Sequence, residues 1–139
     1  MFNKLGNIIL ASSSPRRLQL LKNLGLKKIK VINPLVNEKQ LLEKDSLKKS
    51  VRNIAIQKAL YVRKIYKDFQ DSTIIAGDTL VFRAGRILHK TDSKDIVKNY
   101  LNYLSARRHK VYGGVCVISR DGKIFSKVVV TDIFFEKLE

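Results

Sequence analysis

Three serines, a proline and two arginines stand in a row, Ser12-Ser13-Ser14-Pro15-Arg16-Arg17, directly after a short apolar run at residues 7–11. Ser14 suits a helix N-cap and Pro15 the first helical position, where a missing N–H costs nothing. Leu18, Leu21 and Leu24 then recur at helical spacing up to Gly25, which suits the left-handed residue that closes a helix. A strand therefore runs into a helix through a turn of hydroxyls and guanidiniums. Free amides at the helix start, Ser12, Ser14, Arg16 and Arg17 can converge there on a phosphate group. The plainer alternative is that the serines only cap the helix and the arginines are solvated.

Four further residues have the type and position for chemistry. Lys58 falls seven residues after Val51 and four after Ile54, on the face of a helix that is otherwise apolar. An ammonium there either snorkels to the surface or meets an anion or carboxylate in an adjoining cleft. Asp78 follows an apolar strand at residues 73–77, and the carboxyl ends of strands are where open α/β sheets form their ligand crevice. It can hold a divalent metal or orient a water, or simply begin a turn. Glu38, in a polar connection after Pro34, is either a second carboxylate for that site or an ordinary solvated residue. Lys90 lies just past a hairpin and has a weaker individual claim. His109 lacks the Cys, His or Asp spacing of a zinc site and reads as structural or exposed.

The elements that must position these groups alternate. Residues 30–33 read as a second strand, ended by Pro34, and Ser46 caps a long helix with Val51, Ile54, Ala55, Val62 and Ile65 on one face. Residues 79–82 and 87–88 flank Arg83-Ala84-Gly85-Arg86, a hairpin with glycine in its turn. Ser93 caps a helix whose Val97, Tyr100, Leu101 and Leu104 form one stripe. Residues 111–119 and 123–135 are strand-like runs separated by Asp121-Gly122, which signals a two-residue hairpin loop. The pattern predicts an α/β fold, a mixed twisted sheet flanked by helices, in a single domain over residues 1–139.

With 45% hydrophobic residues the chain can bury an ordinary core without staples. No stretch has the apolar length of a membrane helix and no signal-peptide layout opens the chain, so a cytoplasmic protein without membrane contact is expected. The single cysteine, Cys116, sits in an apolar alternating run and reads as core. A net charge of +16 suits a polyanionic partner, but the excess is spread along the chain and accompanies many Ile and Asn residues, as codon bias toward A and T would produce. No recognition helix, zinc finger or aromatic RNA-binding motif organises it into a nucleic-acid footprint.

The stretch Ile9-Leu10-Ala11-Ser12-Ser13-Ser14-Pro15-Arg16-Arg17, followed by Leu20-Leu21 and Gly25, resembles the N-terminal signature of the Maf family of nucleoside triphosphate pyrophosphatases. Glu38, the pair Lys58-Ala59, the run Ala76-Gly77-Asp78-Thr79-Leu80-Val81 and the segment Ile87-Leu88-His89-Lys90 resemble later family motifs in the same order. Leu104-Ser105, His109-Lys110-Val111, Gly114-Val115, Thr131 and Phe135 continue the likeness. The resemblance implies a Maf/HAM1-like (ITPase-like) sheet, and hydrolysis of nucleoside triphosphates, often pyrimidine or modified ones, to the monophosphate and pyrophosphate with Mg or Mn. It implies Asp78 as the catalytic carboxylate and, with Glu38, as metal ligand. Ser12, Ser14, Arg16, Arg17, Lys58, Thr79 and Lys90 are the substrate-binding residues it implies, Thr79 at a position tied to substrate choice, and a homodimer is the implied assembly.

Two positions depart from the family pattern: Thr91 stands where a proline is usual and Gly113 where a threonine is common. Family members also continue past the strand that precedes Glu139, so a chain incomplete at its C-terminus is expected, short of a substrate-contacting glutamine and much of the dimer surface. The hairpin over residues 111–135 is then expected to keep an uncovered face or edge. Two other readings stay open: a nucleotide-binding module without turnover, and a basic nucleic-acid-binding protein.

Overall fold

The computed structural model describes residues 6–43, 45–66 and 71–137. Five strands form one path in the order β2-β1-β3-β5-β6, with a short β4 paired to β3. β1 (Asn7–Ala11), β2 (Ile29–Ile32) and the first half of β3 (Ser72–Arg83) run parallel. β4 (Arg86–Leu88), β5 (Arg108–Ile118) and β6 (Ile124–Phe134) complete the sheet in antiparallel fashion. The mixed sheet follows from the connections: helices bridge the parallel strands, short turns join β3 to β4 and β5 to β6, and a helix over Lys94–Leu104 leads from β4 to β5.

The apolar runs explain what is buried. Ile8, Ile9, Leu10 and Ala11 of β1 are all nearly inaccessible, as a strand covered on both faces requires. The long helix α3 (Leu47–Ile65), capped by Ser46 Oγ accepting from the Lys49 amide, lays Val51, Ile54, Ala55, Ala59 and Val62 against the sheet. Cys116 and Ile118 of β5 meet it from below, so the cysteine is core as expected. Gly114 is what lets the helix come so close: a Cβ there would collide with the carbonyl oxygen of Val51 and lie 2.6 Å from its carbon. Ile65, expected on the buried stripe, is instead exposed, because it lies in the last turn of α3 beyond the sheet.

The other helices cover less than their patterns suggested. α1 (Pro15–Asn23) buries no residue, and α4 (Lys94–Leu104) buries only Leu104, leaving Val97 and Leu101 exposed. Val115, Phe125 and Val129 are exposed as well. Val115 and Gly113, the partner of Val129, alternate with the α3-facing Gly114 and Cys116, so the hairpin does keep an uncovered apolar face.

Several boundaries differ from the sequence reading, among them the start of β5 at Arg108 rather than residue 111. β2 starts one residue earlier than the expected 30–33 run and ends at Ile32. The β5–β6 loop is a three-residue connection, not a two-residue one: Gly122 N–H donates to Ser119 O, and Gly122 takes φ +89°, the left-handed residue of a bulged turn. Finally, β3 does not stop at Gly77. It continues to Arg83 as one strand, because β5 pairs with it from Ile74 to Phe82.

Candidate active site

That continuation decides where Asp78 lies. β1 ends at Ala11, opposite Ala76, and β4 does not join β3 until Val81. Asp78 is therefore inside a strand, paired with Gly114, rather than at its end, yet it is just past the carboxyl end of the parallel neighbour. A crevice forms there for the usual reason, a strand running out beside one that goes on. By alternation Asp78 shares the α3-facing side of β3 with Ile74 and Ala76, and all three are buried.

Lys58 descends onto it from α3. Its Nζ is 2.8 Å from Glu38 Oε1 and 3.4 Å from Asp78 Oδ1, and it donates to Gly77 O at 3.2 Å. The lysine is 5% exposed, so it does not snorkel; it is paired. Glu38 was expected in an irregular connection but opens a one-turn helix, α2 (Glu38–Leu41), whose N-cap Asn37 accepts from the Gln40 amide. That turn aims the carboxylate at Lys58.

The two carboxylates differ electrostatically. Burial, helped by the Glu38 charge, pushes Asp78 above the usual carboxylate range in spite of Lys58 and Lys90. Burial also opposes ionisation of Glu38, but the Lys58 hydrogen bond and charge, with Lys90 and Arg17 behind them, outweigh it and hold Glu38 below that range. Among the described residues, Asp78 Oδ2 is buried without a hydrogen-bond partner. A buried, unsatisfied carboxylate oxygen is costly and marks a place for a ligand.

A cleft of about 390 Å³ opens over this pair, lined by Glu38, Asp78, Thr79, Leu80, Leu88, His89 and Lys90 among others. Lys90 thus stands on the same hollow as both carboxylates. Ser12 and Arg17 join from the opposite face of the pleat: the Arg17 guanidinium donates to Ser12 Oγ and to Thr79 Oγ1, each at 3.3 Å. A Cβ at Gly77 would lie 3.3 Å from Gly114 O and touch Arg17 Nε at an ordinary 3.4 Å, so Arg17 packs directly over this residue. Ser12 Oγ also accepts from the Ser14 amide, so the buried Ser12, and not Ser14 itself, supplies the side-chain bond at the start of α1. Arg16 is exposed and, among the described residues, forms no hydrogen bond or ion pair. Ser14 and Arg16 line none of the cleft described above.

The family's sequence profile, that of Maf-like proteins, matches residues 7–139. The chain belongs to the Maf-like protein family. A curated relative from Chelativorans sp. (strain BNC1), named dTTP/UTP pyrophosphatase, is 37% identical over 133 residues, covering 94% of this chain and 64% of the relative. One of the same name from Mesorhizobium japonicum is 34% identical over 136 residues, covering 96% of this chain and 65% of its own length. This Maf-like chain thus spans just under two thirds of those relatives. A looser likeness, with a TM-score of 0.48 and 15% identity over 91% of this chain and 70% of the other, is to the Staphylococcus aureus Ham1 protein.

The donors of this Maf-like site suit a hard cation. No group of three or more His, Cys, Asp or Glu side chains that could hold a metal ion gathers among the described residues. Two carboxylates, one with a free buried oxygen, are what a magnesium or manganese ion takes from a protein when substrate phosphates and water complete its shell. His109 lies apart from the site: it is buried, its ring edge-on to Phe135 at 4.8 Å, and burial lowers its imidazole below the usual range. The sequence reading missed His89 and the apolar walls Leu42, Leu80 and Leu88, because nothing but the fold brings α2, β3 and β4 to one hollow.

Proposed function

We propose that this chain hydrolyses nucleoside triphosphates, pyrimidine nucleotides or modified ones, to the monophosphate and pyrophosphate, using Mg²⁺ or Mn²⁺ held by Glu38 and Asp78. The observation that carries the reading is the buried Lys58 ammonium paired with Glu38 and Asp78, two carboxylates that line one cleft with Thr79 and Lys90. The names of the relatives agree with it.

Lys90 and Lys58 neutralise the triphosphate tail, and the Ser12–Arg17–Thr79 network fixes the wall beside it. Asp78, with its affinity for a proton raised by burial, accepts the proton of the attacking water. The water oxygen bonds to the α-phosphorus as the bond to the bridging oxygen breaks, and pyrophosphate leaves with the electron pair. A bound divalent cation supplies charge for the leaving group and acidity for the water. The setting the family resemblance implies is the cytoplasm, and the assembly it implies is a homodimer.

The test is pyrophosphate release from a panel of ribo- and deoxynucleoside triphosphates with each metal, in the unaltered chain and in Asp78→Asn. Release that vanishes in Asp78→Asn supports the reading; none from any nucleotide, in folded protein, ends it. A binding module without turnover, built on the turn in which Ser12 Oγ accepts from Arg17 and from the Ser14 amide, is the second reading. Calorimetry identifies it by nucleotide binding that survives Asp78→Asn without any hydrolysis.

A further inference from the structure

Lys58 stands where a divalent cation would need to be. Its Nζ touches Glu38 Oε1 at 2.8 Å and Asp78 Oδ1 at 3.4 Å, and its side chain is only 6% exposed. Resting on the pyrophosphatase reading, we propose that Lys58 is a built-in counter-ion of the Glu38 and Asp78 pair, and that a divalent cation binds there by displacing its ammonium into the cleft.

The argument is one of charge and room. The buried Asp78 and the half-buried Glu38 repel each other, and the ammonium between them offsets that repulsion. A dication bridging the same oxygens would meet that ammonium at contact distance, where like charges repel strongly in a site of low dielectric. Asp78 Oδ2, buried and without a partner among the described residues, gives the incoming ion a first ligand before Lys58 leaves. The displaced ammonium gives up Gly77 O and has, beside Glu38 and Asp78, a cleft of about 390 Å³ to turn into. There it faces the space a phosphate group would fill. Cation arrival and the freeing of a phosphate-binding lysine become one event, so nucleotide and metal each strengthen binding of the other.

Manganese binding to the full chain without nucleotide, followed by electron paramagnetic resonance of the free ion, tests this. Lys58→Met should bind Mn²⁺ about tenfold more tightly than the unaltered protein, or better, and Asp78→Asn should lose it. Because Lys58→Met leaves two unshielded carboxylates and can fail to fold, a second measurement uses the unaltered protein: amine acetylation read by mass spectrometry. Saturating Mg²⁺ should raise Lys58 labelling several-fold and leave the exposed Lys22 unchanged. Equal Mn²⁺ affinity with and without Lys58, lost in Asp78→Asn, overturns the counter-ion role while the pyrophosphatase reading stands. Labelling of Lys58 that ignores Mg²⁺ does the same. Absence of Mn²⁺ binding in both proteins, together with absence of pyrophosphate release, overturns both.

Discussion

Arg17 on α1 donates to Thr79 Oγ1 on β3 at 3.3 Å across a sequence separation of 62. The same guanidinium donates to Ser12 Oγ, so one side chain ties the turn after β1 to the strand that carries Asp78. On the way it packs over Gly77.

Arg17→Ala should therefore cost catalysis more than stability. The contact to Thr79 is exposed, and exposed polar contacts contribute little, about 1 kcal/mol or less. Loosening a wall of the cleft should nonetheless lower kcat/KM by about 100-fold. Steady-state kinetics beside thermal melting would check this; a large drop in Tm with kcat/KM intact would contradict it.

Asp78→Asn should abolish turnover while leaving the fold as stable as before, or more so. Loss of a positioned proton acceptor lowers kcat by about 10²- to 10⁴-fold. The stability effect follows from the sign of the shift. Asp78 has its affinity for a proton raised in the folded state, chiefly by burial, so its favourable contribution is complete at pH below the ordinary carboxylate range and is lost as pH rises through its elevated value. The amide carries no such penalty. Urea unfolding from acid to neutral pH should show this decline in the unaltered protein and not in the variant.

Glu38→Gln should have the opposite signature. Glu38 is held below the usual range: burial opposes its ionisation, and Lys58 outweighs that. Its contribution is present above the ordinary glutamate value and fades as pH falls through the lower folded one. The variant should be less stable at neutral pH, and the gap should close in acid. A constant gap at every pH would mean that the effect is packing, not charge.

Gly114→Ala should be among the most damaging small substitutions in the chain. Its Cβ would press on the Val51 backbone, which cannot swing away as a side chain can. Overpacking of this kind costs about 3 kcal/mol, and lifting α3 off the sheet also moves Lys58 from Asp78. Denaturant unfolding should show the loss, and any folded fraction should have reduced activity. Gly113→Ala, whose Cβ would meet nothing nearer than 3.7 Å, is the control.

Local chemistry made much of this protein legible from its residues alone. The strand at Asn7–Ala11, the caps Ser46 and Ser93, the helix start after Ser14, the turn at Ala84 and Gly85 and the buried Cys116 all follow from patterns a few residues long. The inward placement of Lys58 was readable too, because helical spacing alone puts it on the buried face. Its partners were not. Whether Lys58 snorkels or pairs, whether Asp78 ends a strand or lies within one, and whether Glu38 is a loose loop residue or an aimed carboxylate depend on strand pairing and on one close helix approach at Gly114. Those are contacts between segments far apart in the chain, and no spacing rule encodes them. The tertiary fold decided them because the buried Asp78 and the half-buried Glu38 come together only when an ammonium from a third element is held between them.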